Sequence, residues 1–267
     1  MSLLHLLLIA IIQGVTEFLP VSSSGHLILL PALTGLKDQG QVIDGAVHVG
    51  TLLAVMLYFR KDVLAAICGL PRLLTGKTDT EGSRLAFLLI LATIPVILFG
   101  LFLALTGLDD AIRSIKTIGW TMLGFGIVLY FTDQKGGQIK TTANWSIKDA
   151  LQLGLWQALA LIPGTSRSGA TISGARALGY KREDAAKISM LMSIPTIIAS
   201  GTFIAGGVIA DANAQAAKDG AIAALFAFLA ALLALSLMMR LLKTVSFTPY
   251  VIYRIILGVV LLWVAYL

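Results

Sequence analysis

Apolar stretches long enough to cross a bilayer recur along this chain, at approximately 41–59, 85–106, 115–132, 186–210, 219–242 and 249–267. A helix rises about 1.5 Å per residue and the hydrocarbon core is about 30 Å thick, so roughly 20 apolar residues make one crossing. Two further apolar regions fall short of that length. HLILLPALTG, from His26, runs ten residues and is soon followed by Lys37 and Asp38; ATISGARALG, from Ala170, runs ten before Tyr180, Lys181 and Arg182. Each spans about half a bilayer and reads as one limb of a re-entrant hairpin, expected over 3–35 and 147–180, that enters the membrane and returns to the same side. The expected fold is an all-α polytopic membrane protein with six transmembrane helices and two re-entrant helical hairpins. No polar block is long enough to fold separately, so 1–267 is expected to form a single membrane domain.

The two short regions are related. QGVTEFLPVSSSGH (Gln13 to His26) slides onto QALALIPGTSRSGA (Gln157 to Ala170) by 144 residues without a gap, bringing Gln13 onto Gln157, Ser22 onto Ser166, Ser24 onto Ser168 and Gly25 onto Gly169. Chemistry differs at the unmatched positions. The first copy holds Glu17 and His26 against Leu161 and Ala170, and the second holds Arg167 against Ser23.

Three crossings separate the hairpins, so the second enters from the opposite face. That makes an inverted-topology repeat, approximately 1–132 and 147–267, of the kind that places a shared site near the midplane. The distribution of positive charge agrees with this layout. With 60–84 read as a cytoplasmic loop, fourteen of the twenty Lys and Arg residues fall on the cytoplasmic side; Lys37, Arg113, Lys116 and Lys218 fall outside, and Arg167 and Arg254 lie within membrane segments. Both termini are then expected outside. The first residues lack a cationic leader and a cleavage site, so no cleaved signal peptide is expected.

Composition supports a membrane protein: 57% of residues are hydrophobic, only 13% are charged, and the mean hydropathy is +0.90. The net charge of +6 needs no nucleic acid to explain it, because the inside-positive bias and anionic headgroups suffice. A lone Cys68 excludes a disulfide framework, and His5, His26 and His48 do not have zinc-site spacing.

Irregular backbone at membrane depth is tolerated only where protein buries it or it lines a wet cavity, which is the expectation for the loops Pro20–Gly25 and Pro163–Gly169. Charges inside a bilayer are costly, so Glu17 and Arg167 are candidate functional groups rather than a structural ion pair alone. The hydroxyls of Ser22, Ser23, Ser24, Thr165, Ser166 and Ser168, with the amides near Gly25 and Gly169, suit an anion at the start of two half-helices. Arg167 adds a fork matched to phosphate oxygens. Any one of these serines alone reads as a helix cap. His26 alone reads as a core hydrogen bonder; beside Glu17 it becomes a candidate proton carrier. Gln13 and Glu17, four residues apart, share a helix face. Asp44 and His48 share the same spacing and read equally as supporting groups or as ordinary polar residues at the interface.

These motifs resemble the bacterial undecaprenyl-diphosphate phosphatase family, the integral-membrane type linked to bacitracin resistance: QGVTEFLPVSSSGH resembles its first signature and PGTSRSGAT (Pro163 to Thr171) its second. The resemblance implies hydrolysis of undecaprenyl diphosphate to undecaprenyl phosphate and phosphate in the cytoplasmic membrane, with the site open to the periplasm. That reaction recycles the carrier lipid for peptidoglycan synthesis. It also implies roles: Glu17 and His26 as acid/base groups, Ser23 as nucleophile with histidine as its competitor, and Arg167 as phosphate clamp. Ser22, Ser24, Ser166, Ser168 and Thr171 match the accompanying polar positions. Family members respond to divalent cations such as Mg2+ or Ca2+. Here the first motif position is Gln13 where the family accepts Glu or Gln, so a metal pair of two carboxylates is not assured; the ion's ligands stay open, with Glu17 and the substrate diphosphate as the expected holders.

A transporter that flips a polyprenyl phosphate is the rival reading, since inverted hairpins meeting at the midplane are a transporter layout. The Ser–His–Glu–Arg set favours the enzyme, because flipping an anion needs no nucleophile beside a base. The expected partners are a polyprenyl diphosphate and membrane lipid. The apolar faces suit an isoprenoid or a second protomer equally, so a homodimer stays open.

Overall fold

A computed structural model of the chain describes residues 1–35, 39–108, 112, 114–208 and 214–267. Lys37, Asp38 and Arg113 lie outside the described residues, so their expected positions are not addressed. Among the described residues the chain is helical without a strand, its one β-type feature being an isolated bridge between Lys140 and Tyr180. The first half carries α1 (Leu3–Thr16), α2 (Ser23–Thr34), α3 (Gly40–Tyr58), α4 (Arg60–Leu74), α5 (Glu81–Thr106) and α6 (Ile115–Lys135). The second carries α7 (Ile147–Leu159), α8 (Arg167–Ala177), α9 (Arg182–Val208), α10 (Ala214–Leu241) and α11 (Thr248–Tyr266).

Helices α3, α5, α6, α10 and α11 are long and apolar enough to cross a bilayer. Helix α9, with 27 residues, coincides with the remaining expected crossing up to Val208. Leu98, Leu105, Leu233 and Trp263 are 62%, 78%, 63% and 65% exposed. So much large apolar surface is suited to lipid rather than water. The protein is a multi-pass membrane protein.

The four helices of the two motif regions are too short to cross. α1, α2, α7 and α8 contain 14, 12, 13 and 11 residues, which is about 17 to 21 Å of rise against a core of about 30 Å. Proline explains the breaks: Pro20 and Pro163 lack an amide donor and disfavour helical geometry in the residue before them. After each proline a serine, Ser22 or Ser166, occupies the position immediately before the next helix.

The short helices pack crosswise. α1 lies on α10, from the far half of the chain, and α7 lies on α5 from the near half. Glycine permits both approaches. A Cβ at Gly14 would meet the Ala227 carbonyl oxygen at 2.7 Å, and one at Gly154 would meet that of Ala92 at 2.6 Å, so any side chain there would push the helices apart. α6 and α11 pack together as well.

One expectation needs correction. Residues 60–84, read as a loop, contain the fifteen-residue helix α4. Its charges at Arg60, Lys61 and Asp62 resemble a polar connection, but Val63 and Gly69 are buried against α5, and Lys187 of α9 pairs with Asp62 at 2.7 Å.

At one end of the bundle, the connection between the halves is tied down by buried charge. Fully buried Arg176 reaches Asp133 Oδ1 at 3.0 Å and the carbonyls of Asp133, Gly136, Gly137 and Tyr180. Arg182 reaches the same Asp133 oxygen at 2.8 Å, and Asp133 Oδ2 accepts the Phe247 amide at 3.1 Å. Nearby, Tyr180 donates to Asp149 Oδ2 at 2.6 Å. Burial and that carboxylate hold the Tyr180 hydroxyl above its ordinary range, so it remains a donor. The C-terminal end of α8 is therefore fixed.

Candidate active site

The two loops meet, and Glu17 is the junction. It follows the last residue of α1, where its amide donates to the Gln13 carbonyl at 2.9 Å, and it is buried. One carboxylate oxygen, Oε2, accepts the Ser23 hydroxyl at 2.8 Å and the Gln13 Nε2 at 2.9 Å. The other, Oε1, accepts Arg167 Nη2 at 2.9 Å. Ser23 is the first residue of α2 and Arg167 the first of α8, so the same position in the two repeats supplies a hydroxyl on one side of the carboxylate and a guanidinium on the other. Arg167 also touches the Ser189 carbonyl at 3.4 Å and keeps 14% of its side chain exposed, leaving further donors for an incoming anion.

His48 belongs to this group. Its Nε2 stands 4.0 Å from Glu17 Oε2, while its Nδ1 lies 2.7 Å from the Asp44 carbonyl, which fixes Nδ1 as the protonated nitrogen of the neutral ring. Asp44 contributes that backbone carbonyl, and its carboxylate accepts from Gln39 Nε2 at 2.8 Å rather than reaching Glu17.

His26 is placed differently from expectation. Its Nδ1 is 2.7 Å from the Ser22 carbonyl and its Nε2 meets the Tyr253 hydroxyl, with the rings nearly parallel at 3°. Neither nitrogen is on Ser23 or Glu17. The proton of Ser23 therefore has one acceptor in place, Glu17.

The remaining hydroxyls divide unequally. In loop one, Ser23 is half-buried and Ser24 exposed, and Ser22 Oγ lies 3.2 Å from Ser24 Oγ. In loop two, Ser166 caps the Gly169 amide at 3.1 Å, and Ser168 donates to the Leu19 carbonyl of loop one at 2.9 Å. The Thr171 hydroxyl turns to the Arg167 carbonyl and to Ser189, joining α8 to α9. Thr165 Oγ1 is buried without a hydrogen-bond partner. Gly25 lies over Ile118 and Met122 of α6. Loop two is thus largely braced, and loop one offers the more accessible hydroxyls.

Two residues of α11 at this site were not singled out from the sequence. Tyr253 faces His26, and fully buried Arg254 hydrogen-bonds carbonyls of both loops. The available signal was an arginine inside an apolar crossing, which in membrane proteins points inward to polar company.

Fold and site together define a multi-pass membrane protein whose interior polar centre is assembled from two related loops, with a carboxylate, a hydroxyl and a guanidinium in contact. The chain belongs to the family described as Bacitracin resistance protein BacA, whose model matches residues 6–260. It is 69% identical over 266 residues to the undecaprenyl-diphosphatases of Jannaschia sp. and of Ruegeria pomeroyi, in each case over 100% of both chains. It is 46% identical to undecaprenyl-diphosphatase 1 of Rhodospirillum rubrum, over 100% of this chain and 96% of that one.

Proposed function

We propose that this protein is a membrane hydrolase that releases phosphate from undecaprenyl diphosphate and leaves undecaprenyl phosphate, the activity its relatives' names carry. The observation that carries the reading is the Glu17 carboxylate shared by Ser23 and Arg167. A serine hydroxyl donating to a buried carboxylate is a nucleophile with its base in place, and an arginine on that carboxylate's other oxygen stands where phosphoryl charge would develop.

In the first step Glu17 Oε2 takes the Ser23 proton as Ser23 Oγ bonds to the terminal phosphorus. The bond from that phosphorus to the bridging oxygen breaks, and its electron pair leaves with undecaprenyl phosphate. Arg167 and the free amides at the starts of α2 and α8 hold the transferring oxygens, a contribution worth about 10³ to 10⁵ in rate for an arginine in such a position. In the second step water cleaves the phosphoserine, its proton passing to His26 Nε2, and Ser23 regains its proton from Glu17. Ser22, Ser24, Thr165, Ser166, Ser168, Thr171 and the Gly25 and Gly169 segments shape the two loops around the anion, and His48 lies beside Glu17 as a supporting group.

Gln13 Oε1 is a buried oxygen without a hydrogen-bond partner, next to the Glu17 carboxylate. An amide oxygen and a carboxylate are donors that Mg2+ or Ca2+ accepts. Gln13 and Glu17 would hold such a cation, the diphosphate oxygens completing its shell, and the ion would neutralise part of the diphosphate charge.

We read the chain as one domain of six crossings and two re-entrant hairpins in an inverted repeat; the four short helices of the motif regions, and the crosswise packing of α1 on α10 and of α7 on α5, support this. On this reading it sits in the bacterial inner membrane with both termini and the site facing the periplasm. There it returns carrier lipid to cell-wall synthesis and confers bacitracin resistance.

The test is phosphate release from undecaprenyl diphosphate by the purified protein in detergent, comparing wild type with Glu17→Ala and Arg167→Ala, with and without EDTA. Release by wild type alone is expected, with EDTA sensitivity reporting the cation. A folded wild type that releases no phosphate overturns the reading and favours lipid transport.

A further inference from the structure

Arg254 of α11 is 0% exposed, and each of its nitrogens donates to backbone carbonyls. Nε reaches Met122 at 3.2 Å, Nη1 reaches Thr165 at 2.9 Å and Pro20 at 3.3 Å, and Nη2 reaches Gly164 at 3.1 Å and Thr121 at 3.4 Å. A guanidinium has five N–H donors, and here five carbonyls take them. Among the described residues no carboxylate pairs with it in a salt bridge.

Two of those carbonyls are equivalent. Pro20 and Gly164 are 144 residues apart, the same offset that superposes the two motifs. Each lies three residues before the first residue of its half-helix, Ser23 in one copy and Arg167 in the other. A single side chain therefore grips the same point of both repeat loops and links them to α6 through Thr121 and Met122. Thr121 reinforces the grip, its hydroxyl donating to the Pro163 carbonyl at 2.6 Å. Burying an uncompensated charge is costly. Neutral donors could cap one loop carbonyl apiece, but five donors in one rigid plane hold several carbonyls in a fixed mutual geometry.

Resting on the hydrolase reading above, we propose that Arg254 is a positioning residue for phosphoryl transfer. It holds the two loops in register so that Ser23 and Arg167 face one phosphate across Glu17, and its charge beneath the loops favours a diphosphate above them. Arg254 acts through the loop backbones and touches neither Ser23 nor Arg167.

Arg254→Lys keeps the charge but has three donors on a flexible stem, and Arg254→Met keeps the bulk without charge or donors. Both would be purified as full-length protein in detergent and checked for a monodisperse, folded state. Two readouts follow. Displacement of about 1 Å in a reacting group can cost about 100-fold in rate, so kcat for phosphate release from undecaprenyl diphosphate is expected to fall by about that factor in Arg254→Lys, with KM within about threefold of wild type. Hydrogen exchange is expected to rise at least about tenfold in peptides covering 17–26 and 160–170 in either variant, while peptides from α5 and α10 stay as in wild type. A folded Arg254→Lys with wild-type kcat, or exchange that rises evenly along the chain, overturns the proposal. An inactive wild type would overturn the hydrolase reading instead, and the exchange pattern would still decide whether Arg254 registers the loops. Should Arg254→Met not fold, Arg254→Lys carries both readouts.

Discussion

Ser22 and Ser166 stand 144 residues apart and share a backbone conformation, φ 70° and φ 71°, that no other non-glycine residue among those described adopts. Both precede the first residue of a half-helix. In both, the serine hydroxyl lies 3.2 Å from that of the serine two residues on. The internal repeat thus extends to the detail of a strained turn immediately before α2 and α8.

A side chain at such a φ costs about 1 to 3 kcal/mol, and the Ser166 hydroxyl returns part of it by capping the Gly169 amide. Ser166→Ala keeps the strain and removes the cap, so a loss of about 1 kcal/mol is expected. Ser166→Gly removes both, and a missing cap is cheaper in glycine by most of that amount. The glycine variant should therefore melt at or above wild type and the alanine variant below it, in one detergent. The reverse order would mean that the turn carries no strain.

Glu17 accepts from Ser23, Gln13 and Arg167 at once. Glu17→Gln conserves shape and most hydrogen-bonding capacity while removing the base, so the expected loss in kcat is about 10² to 10⁴ with the protein still folded. Steady-state phosphate release and a thermal melt on one sample measure both. Retained turnover would move the base to His48, the other titratable group next to Ser23's carboxylate partner.

His26 is bonded to Ser22 and Tyr253 rather than to the nucleophile. The two steps of the reaction should separate accordingly. In His26→Gln, attack by Ser23 still has Glu17 as base, while hydrolysis of the phosphoserine loses its own. A burst of undecaprenyl phosphate close to one per enzyme, followed by slow turnover, is the expected rapid-mixing result, with phosphate on a peptide containing Ser23. Phosphate trapped on a histidine in wild type would replace Ser23 as nucleophile.

Much of this was legible in the sequence because membranes impose strict lengths. Half-length apolar runs beside polar motifs located α2 and α8, the re-entrant reading placed a partner limb before each where α1 and α7 lie, and the gapless repeat pointed to Glu17, Ser23 and Arg167 as members of one site. What stayed hidden was of two kinds. Helix α4 opens with three charges and exposes Leu64, Ile67, Leu70 and Leu74, so its pattern fits neither a crossing nor a buried amphipathic helix. The partners of His26 and Arg254 were out of reach because they depend on contacts such as His26 to Tyr253, which are 227 residues apart. An arginine inside an apolar segment announces that polar groups surround it, but local pattern does not say that those groups are the carbonyls of both loops.

Asp133 ties the connection between the halves to the far end of α8, and its removal tests whether that anchor serves stability or rate. It is 1% exposed and serves Arg176, Arg182 and the Phe247 amide together. Asp133→Ala would leave Arg176, also fully buried, without its carboxylate, and breaking one side of a buried pair costs about 3 to 5 kcal/mol. The carbonyls of Gly136, Gly137 and Tyr180 still hold the Arg176 guanidinium, so the lower part of that range is expected. The loss should appear as a lower midpoint of unfolding in detergent and as less folded protein recovered from membranes. Turnover per folded molecule should stay within about threefold of wild type, because the Asp133 carboxylate touches none of the groups around Glu17 and a 1 Å displacement of those groups would cost far more. A fall of about 100-fold in the folded fraction's kcat would instead show that Arg167 depends on the opposite end of its helix for its aim.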